Sequence, residues 1–143
     1  MDDTILLAHG SGGKLSHDLV EKKFLPSLAN SLLNKLDDSA IFEGSGRFAF
    51  TTDSYVVNPI FFPGGDIGKL AVCGTVNDLS MSGANPLYLS LSVIIEEGFP
   101  MAELERIVKS IKAAAEEAHV NIITGDTKVV NQGQADKLFI NTS

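Results

Sequence analysis

The clearest pattern in the chain is a helical stripe of apolar residues that follows Pro100. Apolar positions recur there every three or four residues, which predicts an amphipathic helix, and a proline favours a helix start. Before it, every second residue from 87 to 95 is apolar, which predicts a long strand. The helix stripe is Leu104, Ile107, Val108, Ile111, Ala115 and Ala118, and the strand face is Leu87, Leu89, Leu91, Val93 and Ile95.

Two more helices are predicted by their start and stop signals. The first runs from Leu15 to about Phe24, and Pro26 is expected to end it. The second runs from Ile67 to about Ser82, with Asp66 as its amino-terminal cap and Gly83 as its stop. Because nearly all of its residues are apolar or small, we expect this second helix to be buried.

The remaining strands complete an α/β or α+β fold with a mixed sheet. Alternation predicts a strand over Arg47–Asp53, and shorter strands over Asn121–Thr124 and Lys137–Asn141 flank a polar loop, Gly125–Gln134. We expect one domain over residues 1–143, with helices packed on one face of the sheet. The chain stops directly after its last strand, so we expect it to be one domain of a longer protein.

The other face of the long strand is less apolar. It carries Tyr88, Ser90, Ser92 and Ile94. Such a face is either solvated or covered by a second subunit, and the pattern leaves both open.

Charge and cysteine content narrow the classes of function. Eighteen acidic and eleven basic residues give a net charge of -7, which disfavours nucleic acid and anionic membranes as partners. A polyphosphate ligand would therefore need a divalent cation. Cys73 is the only cysteine, and no apolar run approaches the roughly 20 residues of a membrane span. We expect a soluble protein of the reducing cytoplasm.

A glycine-rich loop, His9–Lys14, precedes the first helix. It is not a Walker A motif, because Ala8 stands in place of the first glycine and Leu15 follows Lys14. Its three glycines, one lysine and the positive end of the following helix suit a phosphate. The alternative is a flexible glycine-rich amino terminus.

Three aspartates form a candidate oxygen-ligand set for Mg²⁺. Asp78 and its neighbour Asn77 lie in a helix with almost no other charge, so Asp78 is paired, metal-bound, at a cavity wall, or bonded to backbone N–H groups. Asp53 ends a predicted strand and Asp126 directly follows another, where ligand-binding loops lie. Lys128, close by, would neutralise phosphate or move a proton, or it is a solvated loop lysine.

Four segments resemble the HypE family of hydrogenase maturation proteins, in the PurM-like superfamily of aminoimidazole ribonucleotide synthetase. The resemblance runs from about Leu6 to the last residue. Asn-Asp-Leu and Gly-Asp-Thr occur across the superfamily, whereas the opening His-Gly-Ser-Gly-Gly-Lys together with Gly-Asp-Thr-Lys-Val narrows it to HypE. The segments are His9–Lys14, Phe50–Ser54, Gly74–Ala84 and Thr124–Val129.

The resemblance implies a PurM-like amino-terminal domain whose sheet pairs into a barrel in a homodimer, with ATP and Mg²⁺ held between the barrel and a second domain. The family dehydrates a carbamoyl group on its own carboxy-terminal cysteine to a thiocyanate, the source of cyanide for [NiFe] hydrogenases. Its partners are the carbamoyl transferase HypF and the HypC–HypD scaffold. The second domain and that cysteine are absent from this chain, so we expect the chain alone to be inactive.

The resemblance also implies roles for single residues. The loop would cover the phosphates, and Lys128 would be catalytic, stabilising the phosphorylated carbamoyl oxygen or assisting proton removal. The implied metal ligands are Asp53, Asp78 and Asp126. The implied cofactor-binding residues are His9, Gly10, Ser11, Gly12, Gly13, Lys14, Asn77, Gly125 and Thr127.

Two other interpretations remain. One is another enzyme of the superfamily, such as a selenophosphate synthetase or a thiamine monophosphate kinase. The former normally carries a cysteine or selenocysteine near its glycine-rich loop, and none lies between His9 and Lys14. The other is a non-catalytic dimerisation module, in which the carboxylates only satisfy backbone groups.

Overall fold

A computed structural model of the protein describes residues 4–36 and 42–143. Its centre is a four-stranded mixed sheet, which confirms the predicted mixed α/β class. From edge to edge the strands are β1 (Asp53–Tyr55), β6 (Leu138–Thr142), β4 (Tyr88–Glu96) and β5 (Asn121–Val130). The first two pairings are antiparallel, and β4 and β5 are parallel. A separate antiparallel pair joins β2 (Phe61–Phe62) to β3 (Gly65–Asp66).

Two long helices, α3 (Ile67–Met81) and α4 (Met101–Glu117), form the layer on the apolar side of the sheet. The α4 helix connects the parallel strands β4 and β5, as a crossover between parallel neighbours requires. The predicted stripe of α4 is buried, apart from Ala118, which is half-buried. The two helices approach closely at Gly68, where an added Cβ would lie 2.8 Å from the Ile107 carbonyl oxygen.

The α3 helix has the predicted cap and the predicted stop. The Asp66 carboxylate accepts hydrogen bonds from the Gly68 and Lys69 N–H groups at 2.8 and 3.0 Å. Gly83 follows the helix with φ 75°, the left-handed conformation that glycine favours after a helix end. Both signals depend only on neighbouring residues, so they do not depend on the tertiary fold.

The amino-terminal helical segment is longer than predicted. It comprises a 3₁₀ turn (Leu7–Gly10), α1 (Lys14–Leu19), a π-helical turn (Val20–Phe24), α2 (Leu25–Leu28) and a second 3₁₀ turn (Leu33–Lys35). The expectation that Pro26 ends the helix was wrong. Proline lacks an N–H and clashes with the carbonyl four residues back. The wider π turn, in which the Leu25 N–H donates to the Val20 carbonyl, lets the chain accommodate the proline and continue.

Two strand predictions also differ from the structure. Residues 42–52 form no strand, so Asp53 begins β1 instead of ending a strand over Arg47–Asp53. The reason is pairing: Asp53 lies opposite Thr142, the last residue of β6, so the ladder between the two strands starts at Asp53. Conversely, β5 continues to Val130 and includes the predicted loop residues 125–130, because β4 lies alongside them as far as Glu96.

The alternation in β4 is as predicted. Leu89, Leu91, Val93 and Ile95 are buried under the helices, whereas Leu87 precedes the strand and is exposed. The opposite face, called the outer face below, carries Tyr88, Ser90, Ser92 and Ile94, of which Ile94 is 41% exposed. Within the described ranges no helix is long and apolar enough to span a membrane.

Candidate functional site

The glycine-rich loop lies against strand β5. A Cβ on Gly10 would come within 2.3 Å of the Val129 nitrogen and 2.9 Å of the Val129 Cβ. Only glycine therefore permits this approach. The loop, the amino-terminal helical segment and β5 together enclose a cavity of about 440 Å³, a size within the range of small-molecule sites.

The cavity has an apolar part and a polar part. Leucines of the helical segment, Phe24 and Ile122 provide the apolar part. Gly12, Ser16, His17, Asp126 and Lys128 provide polar atoms. Such a lining suits a ligand with a flat apolar body and a charged end.

The loop is held in a defined turn by its own hydrogen bonds. The Gly12 N–H donates to the Ser16 hydroxyl at 2.9 Å, and the Ser11 hydroxyl donates to the Ala8 carbonyl at 2.9 Å. Gly12 has φ 78°, which favours glycine. The backbone N–H groups of the loop were predicted to point toward an anion. In this conformation the Gly12 N–H is not available to one, because it already donates to the Ser16 hydroxyl.

His9, the first residue of the loop, is buried and bonds to the backbone just before the loop. It is only 8% exposed, and its Nδ1 accepts the Leu6 N–H at 2.9 Å, so the ring proton of the neutral form lies on Nε2. His9 is absent from the residues that line the cavity, as are Ser11, Gly13 and Lys14. Lys14 is exposed at the start of α1.

Asp126 and Lys128 lie on the outer face of β5, where they form an ion pair of 2.9 Å. Both side chains are more than half exposed. An exposed pair of this kind contributes little to stability, so the lysine can exchange its partner for an anionic ligand. Between the strands, Gly125 is required sterically, because a Cβ there would lie 2.2 Å from the Leu91 carbonyl oxygen.

Asp53 lies at the opposite edge of the sheet, where β1 contacts α3. The Ile67 N–H donates to the Ile60 carbonyl at 2.9 Å, and the Tyr55 hydroxyl lies 3.0 Å from the Thr75 hydroxyl.

Asp78 and Asn77 are both exposed, so the prediction of a fully buried second helix was wrong on this side. The apolar residues of α3 cover the sheet with one face only, and Leu70 and Met81 are exposed as well. The exposed carboxylate of Asp78 needs no buried partner. It is open to solvent on the exposed side of α3.

The three aspartates do not form one group within a single chain. Among residues 4–36 and 42–143, no three His, Cys, Asp or Glu side chains are placed to hold one metal ion together. Asp53 and Asp126 lie on opposite edge strands of the order β1-β6-β4-β5, about 14 Å apart at the usual strand spacing. Within the described part of one chain, strand order therefore keeps the three carboxylates apart, and their roles as metal ligands stay a prediction.

A buried chain of hydroxyl groups next to Asp53 was not predicted. The Thr75 and Thr142 hydroxyls are 2.6 Å apart, and the Thr142 hydroxyl donates to the Ala71 carbonyl at 3.1 Å. Burial raises the pKa of Tyr55, the Thr75 hydroxyl opposes that shift, and the neighbouring Asp53 carboxylate adds to it. The available signal was Thr75 itself, a hydroxyl within an apolar helix.

Comparison with known proteins places this geometry in a family. Residues 36–143 match the family described as AIR synthase related protein, N-terminal domain. Carbamoyl dehydratase HypE of Azotobacter vinelandii is 52% identical over 141 residues, which cover 98% of this chain and 41% of that protein. The chain thus spans about two fifths of the length of this curated relative.

Solved structures agree. Hydrogenase maturation protein HypE in complex with ATP superposes with a TM-score of 0.96 at 57% identity, over 97% of this chain and 42% of that one. The HypE–HypF complex matches with a TM-score of 0.64 at 53% identity, over 87% of this chain and 40% of that one. The chain therefore belongs to the family of AIR synthase related proteins, as an N-terminal domain whose relatives include HypE, the carbamoyl dehydratase.

Proposed function

We propose that this chain is the ATP- and Mg²⁺-binding domain of a HypE-type carbamoyl dehydratase, which supplies cyanide for [NiFe] hydrogenase maturation. The observation that carries the proposal is the cavity of about 440 Å³ between the glycine-rich loop and β5, apolar on one side and charged on the other. A relative of 57% identity has been crystallised with ATP. The proposed unit is one PurM-like domain over residues 1–143, which spans 42% of the length of that relative.

In this proposal the apolar part of the cavity takes the adenine base, and the polar part takes the phosphates. Phe24 and Ile122 offer flat and branched apolar surfaces to a base. Lys128 offers a cation at the polar end, and Lys14 is free at the start of α1 to reach phosphates from solvent. Gly10 allows the loop, and Gly125 allows β4, to approach β5 closely. Thr127 lines the cavity from β5.

The aspartates divide into two proposed Mg²⁺ positions. Asp126 lines the cavity, while Asp53 begins β1 and Asn77 and Asp78 lie on the exposed side of α3. Each position offers one or two carboxylates, the number that Mg²⁺ usually takes from protein when phosphates and water complete its shell. Bound Mg²⁺ would neutralise phosphate charge, which a domain of net charge -7 needs.

Lys128 is the proposed catalytic residue. Its ammonium is held 2.9 Å from Asp126 at the polar end of the cavity. When Asp126 turns to a cation, Lys128 is released to stabilise the phosphorylated carbamoyl oxygen or to assist loss of the carbamoyl nitrogen's proton. Elimination of inorganic phosphate from that intermediate, with loss of a proton, leaves the thiocyanate.

The test of this role uses the full-length protein carrying a carbamoylated cysteine. Lys128→Ala should lower the rate of ATP-dependent thiocyanate formation strongly, while Lys137→Ala, in the exposed turn before β6, should not. A normal rate in Lys128→Ala would remove the proposed role.

We also propose a homodimer in the cytoplasm whose sheets join through the outer face. Its partially apolar surface, with Ile94 41% exposed, supports this. Ile94→Asp should keep the fold and weaken the dimer, measured by light scattering over a range of concentrations; an unchanged dimer would contradict the use of this face.

By family, HypF is a proposed partner, as in the HypE–HypF complex of a relative, together with the HypC–HypD scaffold.

A further inference from the structure

One side chain joins the amino-terminal helical segment to strand β5. Asn30, which follows α2, is half-buried and forms four hydrogen bonds. Its Nδ2 donates to the Leu28 carbonyl at 3.2 Å and to the Ile122 carbonyl at 2.7 Å. Its Oδ1 accepts the Leu32 and Leu33 N–H groups at 3.1 and 3.0 Å. A side-chain amide offers two donor hydrogens and two acceptor lone pairs, so Asn30 is fully bonded here.

The two ends of this amide bond to different parts of the chain. The Oδ1 atom stabilises a local turn, because it accepts the N–H groups two and three residues further on, as a helix-capping oxygen does. The Nδ2 atom reaches Ile122, 92 positions later in the sequence. Ile122 belongs to β5, an edge strand, and edge strands carry carbonyls that the sheet does not pair. Asn30 therefore connects the helical segment to the edge of the sheet.

Strand β5 is irregular at the same point. Ile122 pairs with Leu89, but the next pair joins Thr124 to Ser90, so Ile123 is an extra residue, a β-bulge. Neighbouring residues of a regular strand face opposite sides, whereas Ile122 and Ile123 are both buried and both line the cavity. The bulge therefore places two consecutive isoleucines at the cavity wall. The hydrogen bond from the helical segment ends on the carbonyl of the first one.

Asn30 acts on the apolar part of the cavity through its partners. All four hydrogen-bond partners of its side chain line the cavity, although Asn30 itself does not. The polar end is further along β5, because Asp126 lies four residues beyond Ile122, roughly 13 Å at the usual rise per residue. Loss of the amide would thus disturb the apolar part and spare the polar end. The four partners are Leu28, Leu32, Leu33 and Ile122.

We infer that Asn30 is a positioning residue for the nucleotide base, because it fixes the separation between the helical segment and β5 on the apolar side of the cavity. The inference rests on the proposed function, in which that side takes the adenine. A gap of roughly 0.5–1 Å already forfeits about a quarter to a half of a dispersion contact, so a planar base needs walls at a fixed separation. The bond of 2.7 Å from Asn30 to Ile122 holds the two walls together.

The test uses variants that keep the turn and lose the bond to β5, made in the full-length protein. Asn30→Asp and Asn30→Ser both retain an oxygen that caps the Leu32 and Leu33 N–H groups, because Asn, Asp and Ser are similar capping residues. Neither variant keeps the amide donor. Asn34→Asp, four residues on and with an exposed side chain, is the matched control for the added charge. Circular dichroism reports whether each variant is folded.

Two ligands separate the two ends of the cavity in calorimetric titrations. Adenosine carries the base and no charge, and tripolyphosphate with Mg²⁺ carries the charge and no base. The affinity for adenosine should fall about tenfold in Asn30→Asp and in Asn30→Ser, the effect of one lost hydrogen bond, and should not change in Asn34→Asp. The affinity for tripolyphosphate should not change in any variant. Slow amide exchange at Leu32 and Leu33 verifies that the turn is intact.

The outcomes distinguish this inference from the proposed function. If the unaltered protein binds neither ligand, the proposed function fails, and the inference fails with it. If it binds both and the Asn30 variants bind adenosine normally, only the positioning role is overturned. Equal weakening of adenosine and tripolyphosphate also overturns that role, because it is the result of a general loss of structure. If Asn30→Asp does not fold, the uncharged Asn30→Ser decides alone.

Discussion

Substitution by alanine should have different effects at two glycines of the same loop. At Gly10 a new Cβ would lie 2.3 Å from the Val129 backbone nitrogen, whereas at Gly13 its nearest neighbour would be the Ser11 hydroxyl oxygen at 3.8 Å. Gly13 also has φ -88°, which alanine adopts without strain. Gly10→Ala should therefore displace the loop from β5, and Gly13→Ala should leave it in place.

The size of the effect follows from the overlap. Contacts of 3.4–4 Å are ordinary, so the loop must move by about 1 Å against backbone that β4 holds in place. Overpacking of this kind costs about 1–3 kcal/mol. If nucleotide binding requires the docked loop, its affinity should fall roughly 5- to 150-fold in Gly10→Ala.

Two assays check this prediction. Amide hydrogen exchange measures loop docking in the absence of ligand. The exchange rate should rise along residues 8–13 and at Val129 in Gly10→Ala only. Calorimetric titration with a non-hydrolysable ATP analogue reads the coupling to binding. Equal exchange and equal affinity in both variants would refute the docking argument, and equal losses in both would show that the loop acts through its flexibility instead.

Two further predictions concern stability. Asp66→Ala removes the carboxylate that caps α3 and should lower the free energy of unfolding by about 1 kcal/mol in urea, while Asp66→Asn should keep most of it; equal losses would contradict the cap. The hydrogen bond from Lys23 holds the pKa of Glu105 below its usual range, so this pair stabilises the fold above the ordinary carboxyl pKa and loses that contribution as pH falls through the lowered pKa. Lys23→Met should therefore cost about 0.2–1 kcal/mol at neutral pH and nearly nothing in acid, and a cost independent of pH would contradict the assignment.

The elements that local sequence predicts well are those with a strong period or a local signal. The α4 stripe and the β4 alternation were confirmed because each buries one continuous face. Asp66 and Gly83 were confirmed because capping depends on neighbouring residues only. Such features need no knowledge of distant partners.

The two strand misses share one cause, which is pairing with residues distant in the sequence. Residues Arg47–Thr52 alternate as a strand would but pair with no strand in the described part of the chain, whereas Gly125–Lys128 have the composition of a loop but pair with β4. Polar residues are tolerated there because β5 is an edge strand with one side exposed. Local composition carries neither fact.

The candidate site, too, is predicted only in part by local sequence. Gly10 and Gly12 of the glycine-rich loop and the Gly125–Lys128 segment line one cavity. The three aspartates do not meet, because Asp53 and Asp126 lie on opposite edges of the sheet. Strand order, which decides this, is a property of the whole fold.

The central claim is that this domain binds nucleotide together with a divalent cation. The most direct test is calorimetric titration of the chain with a non-hydrolysable ATP analogue, with and without Mg²⁺, repeated on Asp126→Asn and on Asp136→Asn as an exposed control. We predict Mg²⁺-dependent binding that Asp126→Asn weakens and Asp136→Asn retains. Binding that is independent of Mg²⁺ and unaffected by Asp126→Asn, or no binding even in the full-length protein, would contradict the claim.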